Sequence, residues 1–165
     1  MSVATVPTTT VPTTTVPTTF RARNEDASVR SLLRVGASAA VAAAVTAELF
    51  TLAARAAGVS MRAADPGAAS AKLIPVGGIF MAVLMNAAGG LLVAVALRKW
   101  AKAPAKTFAV LATIYAVLSL LGPIFAAHTH AATKLVLLVA HVIAAAGIIP
   151  VVTATLPGAT RRARS

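Results

Sequence analysis

The chain contains no cysteine. That excludes a disulfide framework and a thiolate metal site, and it removes any redox clue to compartment. Acids are nearly as scarce: Glu25, Asp26, Glu48 and Asp65 are the only four among 165 residues. So few carboxylates leave hydrolytic acid–base chemistry little to work with. With three histidines beside them, they also leave little from which to build a metal cluster, and none is expected. No glycine-rich phosphate loop, nucleophile elbow or paired carboxylates occur. Charge of either sign is thin, at 12% of residues, where a soluble domain carries about 25%. No catalytic residue, enzymatic activity or bound cofactor is therefore expected.

What the chain has instead is apolar residues, 58% of the total, and a mean hydropathy of +0.85. Lipid rather than water is the solvent that suits this composition. Four long apolar runs occupy about 33–58, 73–97, 107–127 and 131–156. Each exceeds the roughly 20 residues that cross about 30 Å of hydrocarbon as a helix. Helices are the open-ended solution there, because hydrocarbon satisfies no backbone hydrogen bond. The sequence thus predicts an all-α, four-helix transmembrane bundle over 31–157. The first run is rich in alanine, a strong helix former of modest hydrophobicity, so it should be helical but need neighbours. It is also too long, and too far from the start, for a signal peptide.

Residues 1–30 read differently. Val6 to Phe20 repeats a Val-Pro-Thr-Thr-Thr unit. Each proline removes a donor and biases its predecessor to extended geometry, and nothing here can bury a core. A disordered, Thr/Pro-rich N-terminal tail is expected, with a short basic tail at 158–165. Asp65-Pro66-Gly67 marks a turn between the first two runs. Trp100 sits at interfacial depth in a basic second loop. The third connection, around His128 and His130, is short enough for a tight helical hairpin.

With four crossings, both termini and the second loop share a side. Arg21, Arg23, Arg30, Arg34, Arg98, Lys99, Lys102, Lys106, Arg161, Arg162 and Arg164 lie there, whereas Arg55, Arg62, Lys72 and Lys134 lie opposite. Basic residues accumulate on the cytoplasmic face of membrane proteins. The expected location is therefore the plasma (inner) membrane, multi-pass, with N- and C-termini cytoplasmic. The net charge of +11 flanks apolar runs rather than forming a solvated basic face, so no nucleic acid partner is expected.

Several polar residues fall inside the runs. Counting along the helices puts Glu48 and His141 in one layer, each about ten residues or roughly 15 Å below the outer edge. Ser119 is close to that layer and Asn86 slightly deeper. Arg55 and Lys134 share a second, interfacial layer. Glu48 to Arg55 and Lys134 to His141 are both seven-residue spacings, two turns along one face. An ionisable residue in the membrane is costly and normally faces the bundle interior with a partner. Glu48 neutralised by His141 in an internal polar layer is the reading these depths suggest, either as glue that fixes register or as a proton- or ligand-handling site. The small-residue stripes Gly36–Ala40–Ala44 and Gly78–Ala82–Asn86–Gly90 suit close helix packing. Pro75 falls near a helix start, and Pro123 should kink or end the third helix. His128 and His130 read as solvated loop residues; with only His141 deep, axial haem ligation lacks its second histidine.

"SLLGPIF" (Ser119 to Phe125) followed by "ATKLVLLVAHVIAAAGIIP" (Ala132 to Pro150) resembles a family of uncharacterised actinobacterial membrane proteins. The resemblance implies four helices over roughly Leu33 to Leu156, with Ser119, Pro123, Thr133 and His141 at its motif positions. It also implies an amide more often than an acid in helix one, so Glu48 is a departure, which speaks against a proton-carrying role common to the family. No activity follows from it. The expectation is a non-enzymatic accessory or assembly subunit whose partners are the lipid bilayer and a second copy or another membrane protein. The alternative is a small transporter or proton-coupled permeation unit using Glu48 and His141.

Overall fold

A computed structural model describes residues 18–64 and 68–158, with side chains from Ser28 onward. Most of the Val-Pro-Thr repeat, the Asp65-Pro66-Gly67 turn and the basic C-terminal segment lie outside the described residues. The chain forms α1 (Thr18–Ala56), a two-stranded hairpin of β1 (Arg62–Ala63) and β2 (Lys72–Leu73), α2 (Gly78–Trp100), α3 (Pro104–Ser119), the short α4 (Leu121–Phe125) and α5 (Ala131–Thr155). Helix α1 thus already runs through Thr18–Arg30, part of the segment expected to be a tail.

The helices stand in a ring in chain order. α1 packs on α2 and, most extensively, on α5, while α3 packs on α5 and α2. The short connections from α2 to α3 and from α4 to α5 keep those neighbours antiparallel and adjacent. At one end α1 contributes Leu32, α2 Ala94, α3 Ala105 and Phe108, and α5 Val152 and Leu156 to a closed apolar cluster. At the other end Met61, Val136 and Leu137 pack with Phe50, Ala54, Ile74 and Ile79. Met61, which is fully buried, reaches this cluster from the loop just before β1.

Between the clusters the bundle is lined by small residues. Ala40, Ala43, Ala44 and Ala47 are buried on one face of α1. A Cβ on Gly147 of α5 would stand 3.0 Å from that of Ala43, and a Cβ on Gly36 would collide with the Leu91 side chain. Without a hydrophobic drive between helices in lipid, such close backbone approach supplies the packing. The α2 stripe does not behave this way. Ala82 and Asn86 are exposed, and a Cβ on Gly89 or Gly90 would meet nothing within 4 Å. The ring turns that face of α2 outward, away from α1 and α5.

The outer surface is apolar. The most hydrophobic stretch of the third span, Pro104–Phe125, has mean hydropathy 2.2 with 11% of its residues buried, and that of α5 has 2.7 with 22%. In water such helices would hide their apolar atoms; here the surface itself is apolar, as a bilayer requires. All four spans, Ser28–Ala56, Gly78–Trp100, Pro104–Phe125 and Ala131–Thr155, are long and apolar enough to cross.

Two boundaries reflect backbone chemistry. The third span breaks at Leu120, as Pro123 demands, since it cannot donate to the carbonyl four residues earlier. Pro150 stays inside α5 without ending it. The second span begins at Gly78 rather than near Leu73, because Lys72–Leu73 pairs with Arg62–Ala63 instead.

The packing differences generate a test. Gly36→Leu should destabilise the bundle by about 1–3 kcal/mol through overpacking against Leu91. Gly89→Ala, with open space around it, should be neutral or stabilise by up to about 1 kcal/mol through helix propensity. Thermal unfolding in detergent, followed by circular dichroism, reads both; an equal loss in the two variants would contradict the packing described.

Candidate functional site

The late start of α2 creates a problem that the site solves. Pro75, Val76, Gly77 and Gly78 form a turn closed by the Gly78 N–H to the Pro75 carbonyl at 3.0 Å. Gly77 sits at φ 82, ψ −8, the third position of a type II turn, which demands positive φ. A helix leaves its first N–H groups without intrahelical partners. Here α2 has no side-chain cap of its own and no acid in its first turn, and its start lies beside α1.

Glu48 of α1 supplies what is missing. One carboxylate oxygen accepts the Gly77 N–H at 2.7 Å and the other accepts the Phe80 N–H at 3.0 Å. The acid therefore caps a neighbouring helix, with its charge at the positive end of that helix dipole. Thr51, fully buried, is tied by its hydroxyl to the Glu48 carbonyl at 2.9 Å. Two turns further along the same face, the Arg55 guanidinium donates to the Ile74 carbonyl at 2.6 Å. Glu48 and Arg55 thus hold the segment Ile74–Phe80 at both ends, one by its N–H groups and one by a carbonyl. Pro75, having no N–H, adds no donor to satisfy.

The other residues singled out from the sequence lie elsewhere. His141 does not meet Glu48 through a hydrogen bond or ion pair among the described residues. Its Nδ1 lies 2.7 Å from the Leu137 carbonyl one turn earlier; a carbonyl only accepts, so Nδ1 carries the hydrogen and Nε2 is an acceptor in the neutral ring. The ring lines a groove of about 350 Å³ between α3 and α5, beside Thr113, Ala116, Ala146 and Pro150. Ser119 donates to Ala116 at 2.7 Å within its own helix. Asn86 donates to Ala82 at 2.8 Å and accepts the Tyr115 hydroxyl at 2.5 Å, bridging α2 to α3 on the exposed face. The single internal polar layer is therefore resolved into four separate arrangements. Serine and histidine satisfied themselves on local carbonyls, and the register of α2 brought backbone donors, not His141, to Glu48.

Arg55 and Lys134 do occupy the same end, each on a backbone carbonyl. Lys134 Nζ donates to Ile124 at 3.1 Å, placing a cation near the negative end of α4. Two residues not singled out from the sequence matter here. Tyr115 is the partner of Asn86, and Thr129 accepts the Ala64 N–H at 3.1 Å, tying the hairpin to the third connection. The signal missed was Pro-Val-Gly-Gly at 75–78, which reads as a type II turn and sets the helix start. Among the described residues no three of His, Cys, Asp and Glu stand close enough to hold a metal ion. His128 and His130 are both exposed.

These features define a class: a four-helix, multi-pass membrane bundle whose embedded acid serves the backbone. Comparison with known proteins adds the family. The chain belongs to the family of unknown function DUF6069, whose model matches residues 27–158. Curated proteins and solved structures give no match.

Removing the cap has a calculable consequence. Glu48→Ala leaves two part-buried N–H groups without their acceptor and should cost about 0.5–2 kcal/mol, as the loss of a helix cap does. Glu48→Gln keeps one acceptor oxygen but turns an amide N–H₂ towards a backbone donor, so its loss should be smaller but measurable. His141→Ala should leave stability within about 1 kcal/mol, since its hydrogen bond is local. Detergent unfolding midpoints rank the three; His141→Ala as damaging as Glu48→Ala would contradict the assignment.

Proposed function

We propose that this protein is a non-enzymatic accessory or assembly subunit of the plasma membrane, with both termini in the cytoplasm. The observation that carries the reading is the use made of Glu48. It is the only acid within the four spans, and both of its oxygens are engaged by backbone donors of α2. A proton carrier must exchange partners during its cycle; a cap that holds a turn together must not. The paired Arg55 contact to Ile74 reinforces the structural use of the embedded charges. The apolar outer surface and the exposed Asn86–Tyr115 pair suit a protein that works by contact within the bilayer. The orientation rests on the basic residues around Arg30, Arg34 and Arg98 to Lys106, set against Arg55, Arg62, Lys72 and Lys134.

Two measurements test the proposal. Proteoliposomes containing the wild-type chain should show no proton flux above that of empty liposomes between about pH 5 and 8. A pH-dependent flux abolished by Glu48→Gln, with the fold retained, would favour the transport alternative. For orientation, the absence of native cysteine makes single-cysteine labelling clean. Ser70→Cys should react with a membrane-impermeant maleimide in intact cells, and Lys102→Cys only after permeabilisation. The reverse pattern would invert the topology.

A further inference from the structure

The end of the bundle opposite the hairpin is basic and has a shaped notch. The cluster of Leu32, Ala94, Ala105, Phe108, Val152 and Leu156 gathers the four spans at this end. Arg30 and Arg34 on α1 lie at this end, as do Lys99 in the last turn of α2 and Lys102 just after it. Arg30, Ser31, Arg34 and Val35, all on α1, line an open crevice of about 360 Å³. Arg30 and Arg34 are one turn apart, so both guanidinium groups serve the same face. Trp100 is 77% exposed, with Lys99 Nζ 6.0 Å from its ring centroid. An indole in that setting marks the headgroup level. Glu25 and Asp26 stand about a turn further out on α1, and the stretch from Arg21 to Arg34 still holds two more bases than acids.

The notch is amphipathic along the membrane normal. Its outer walls are cationic, its inner wall is Val35, and Val41 and Val45 continue an exposed apolar surface further along α1. A free anion would use the first part alone. A molecule with a phosphate above and hydrocarbon below uses the whole surface. We propose that this notch binds the phosphodiester headgroup of an anionic glycerophospholipid, with its acyl chains lying along the exposed valines of α1. Arg30 and Arg34 donate charge-assisted hydrogen bonds to the phosphate oxygens, a geometry suited to guanidinium groups, and the Ser31 hydroxyl is placed to add a third. The binding requires only that α1 enters a bilayer here and is the same in either leaflet, so the flux and labelling outcomes above do not bear on it.

Native mass spectrometry of the full-length chain in detergent provides the test. The protein is titrated with phosphatidylglycerol or with phosphatidylcholine of matched chains. Wild type should retain phosphatidylglycerol with about tenfold preference. Arg30→Gln/Arg34→Gln, which alters exposed residues and should unfold at the wild-type temperature, should reduce the preference to about twofold or less. Lys99→Gln/Lys102→Gln should keep most of it. No wild-type preference, or a preference unchanged in the arginine variant, would overturn the proposal. An equal loss in the lysine variant would assign the effect to diffuse charge and overturn the notch. Displacement of the lipid by millimolar glycerol 1-phosphate would show a site for soluble anions and overturn the lipid assignment.

Discussion

A helix that begins beside apolar neighbours leaves its first backbone N–H groups without intrahelical partners. The free energy of each such group is comparable to a whole hydrogen bond, and lipid cannot supply the acceptor. In this protein the acceptor comes from the neighbouring helix, as the two oxygens of Glu48 on the N–H groups of Gly77 and Phe80. The rest of that end follows from this contact. Because the start of α2 is satisfied at the depth of Glu48, the preceding residues can leave the helix, pair as a hairpin and deliver Met61 into the apolar cluster. Arg55 then fixes the entering strand by the Ile74 carbonyl.

The two ends of the bundle are built on different physics. The hairpin end depends on a few charge-assisted bonds to backbone, with Thr129 and Lys134 closing the remaining connection. The opposite end is a conventional apolar cluster ringed by arginine and lysine. The middle holds neither, only alanine and glycine surfaces of α1 and α5 in close approach. Glu48 and Arg55 serve the backbone of a neighbouring segment and Asn86 bridges two helices, whereas the buried Thr133 and Thr153 hydroxyls have no partner among the described residues.

Much of this was legible in the residues themselves. Apolar run length and scarce charge define four spans, and the match over residues 27–158 agrees with the extent of the resemblance read from Ser119, Pro123, Thr133 and His141. The break before Pro123 follows from its missing donor. The pairing of Glu48 was not legible, and the cause is specific. Hydropathy extends the second run to Leu73, because leucine, isoleucine, proline and valine at 73–76 are apolar whatever their backbone does. Only the turn chemistry of Gly77 moves the helix start to Gly78, and that shift of about five residues changes what stands beside Glu48. The small-residue stripe on α2 was misplaced for a related reason: a period of four defines a face, but only the ring order of helices says which way it points.

The amides of Gly77 and Phe80 report on the central contact directly. Hydrogen exchange resolved by residue, with the full-length chain in lipid nanodiscs, measures whether they are bonded. The account predicts that both exchange as slowly as Met81 within α2 in wild type, and that Glu48→Ala accelerates these two selectively. Rapid exchange at Gly77 and Phe80 in wild type, with Met81 still protected, would contradict it.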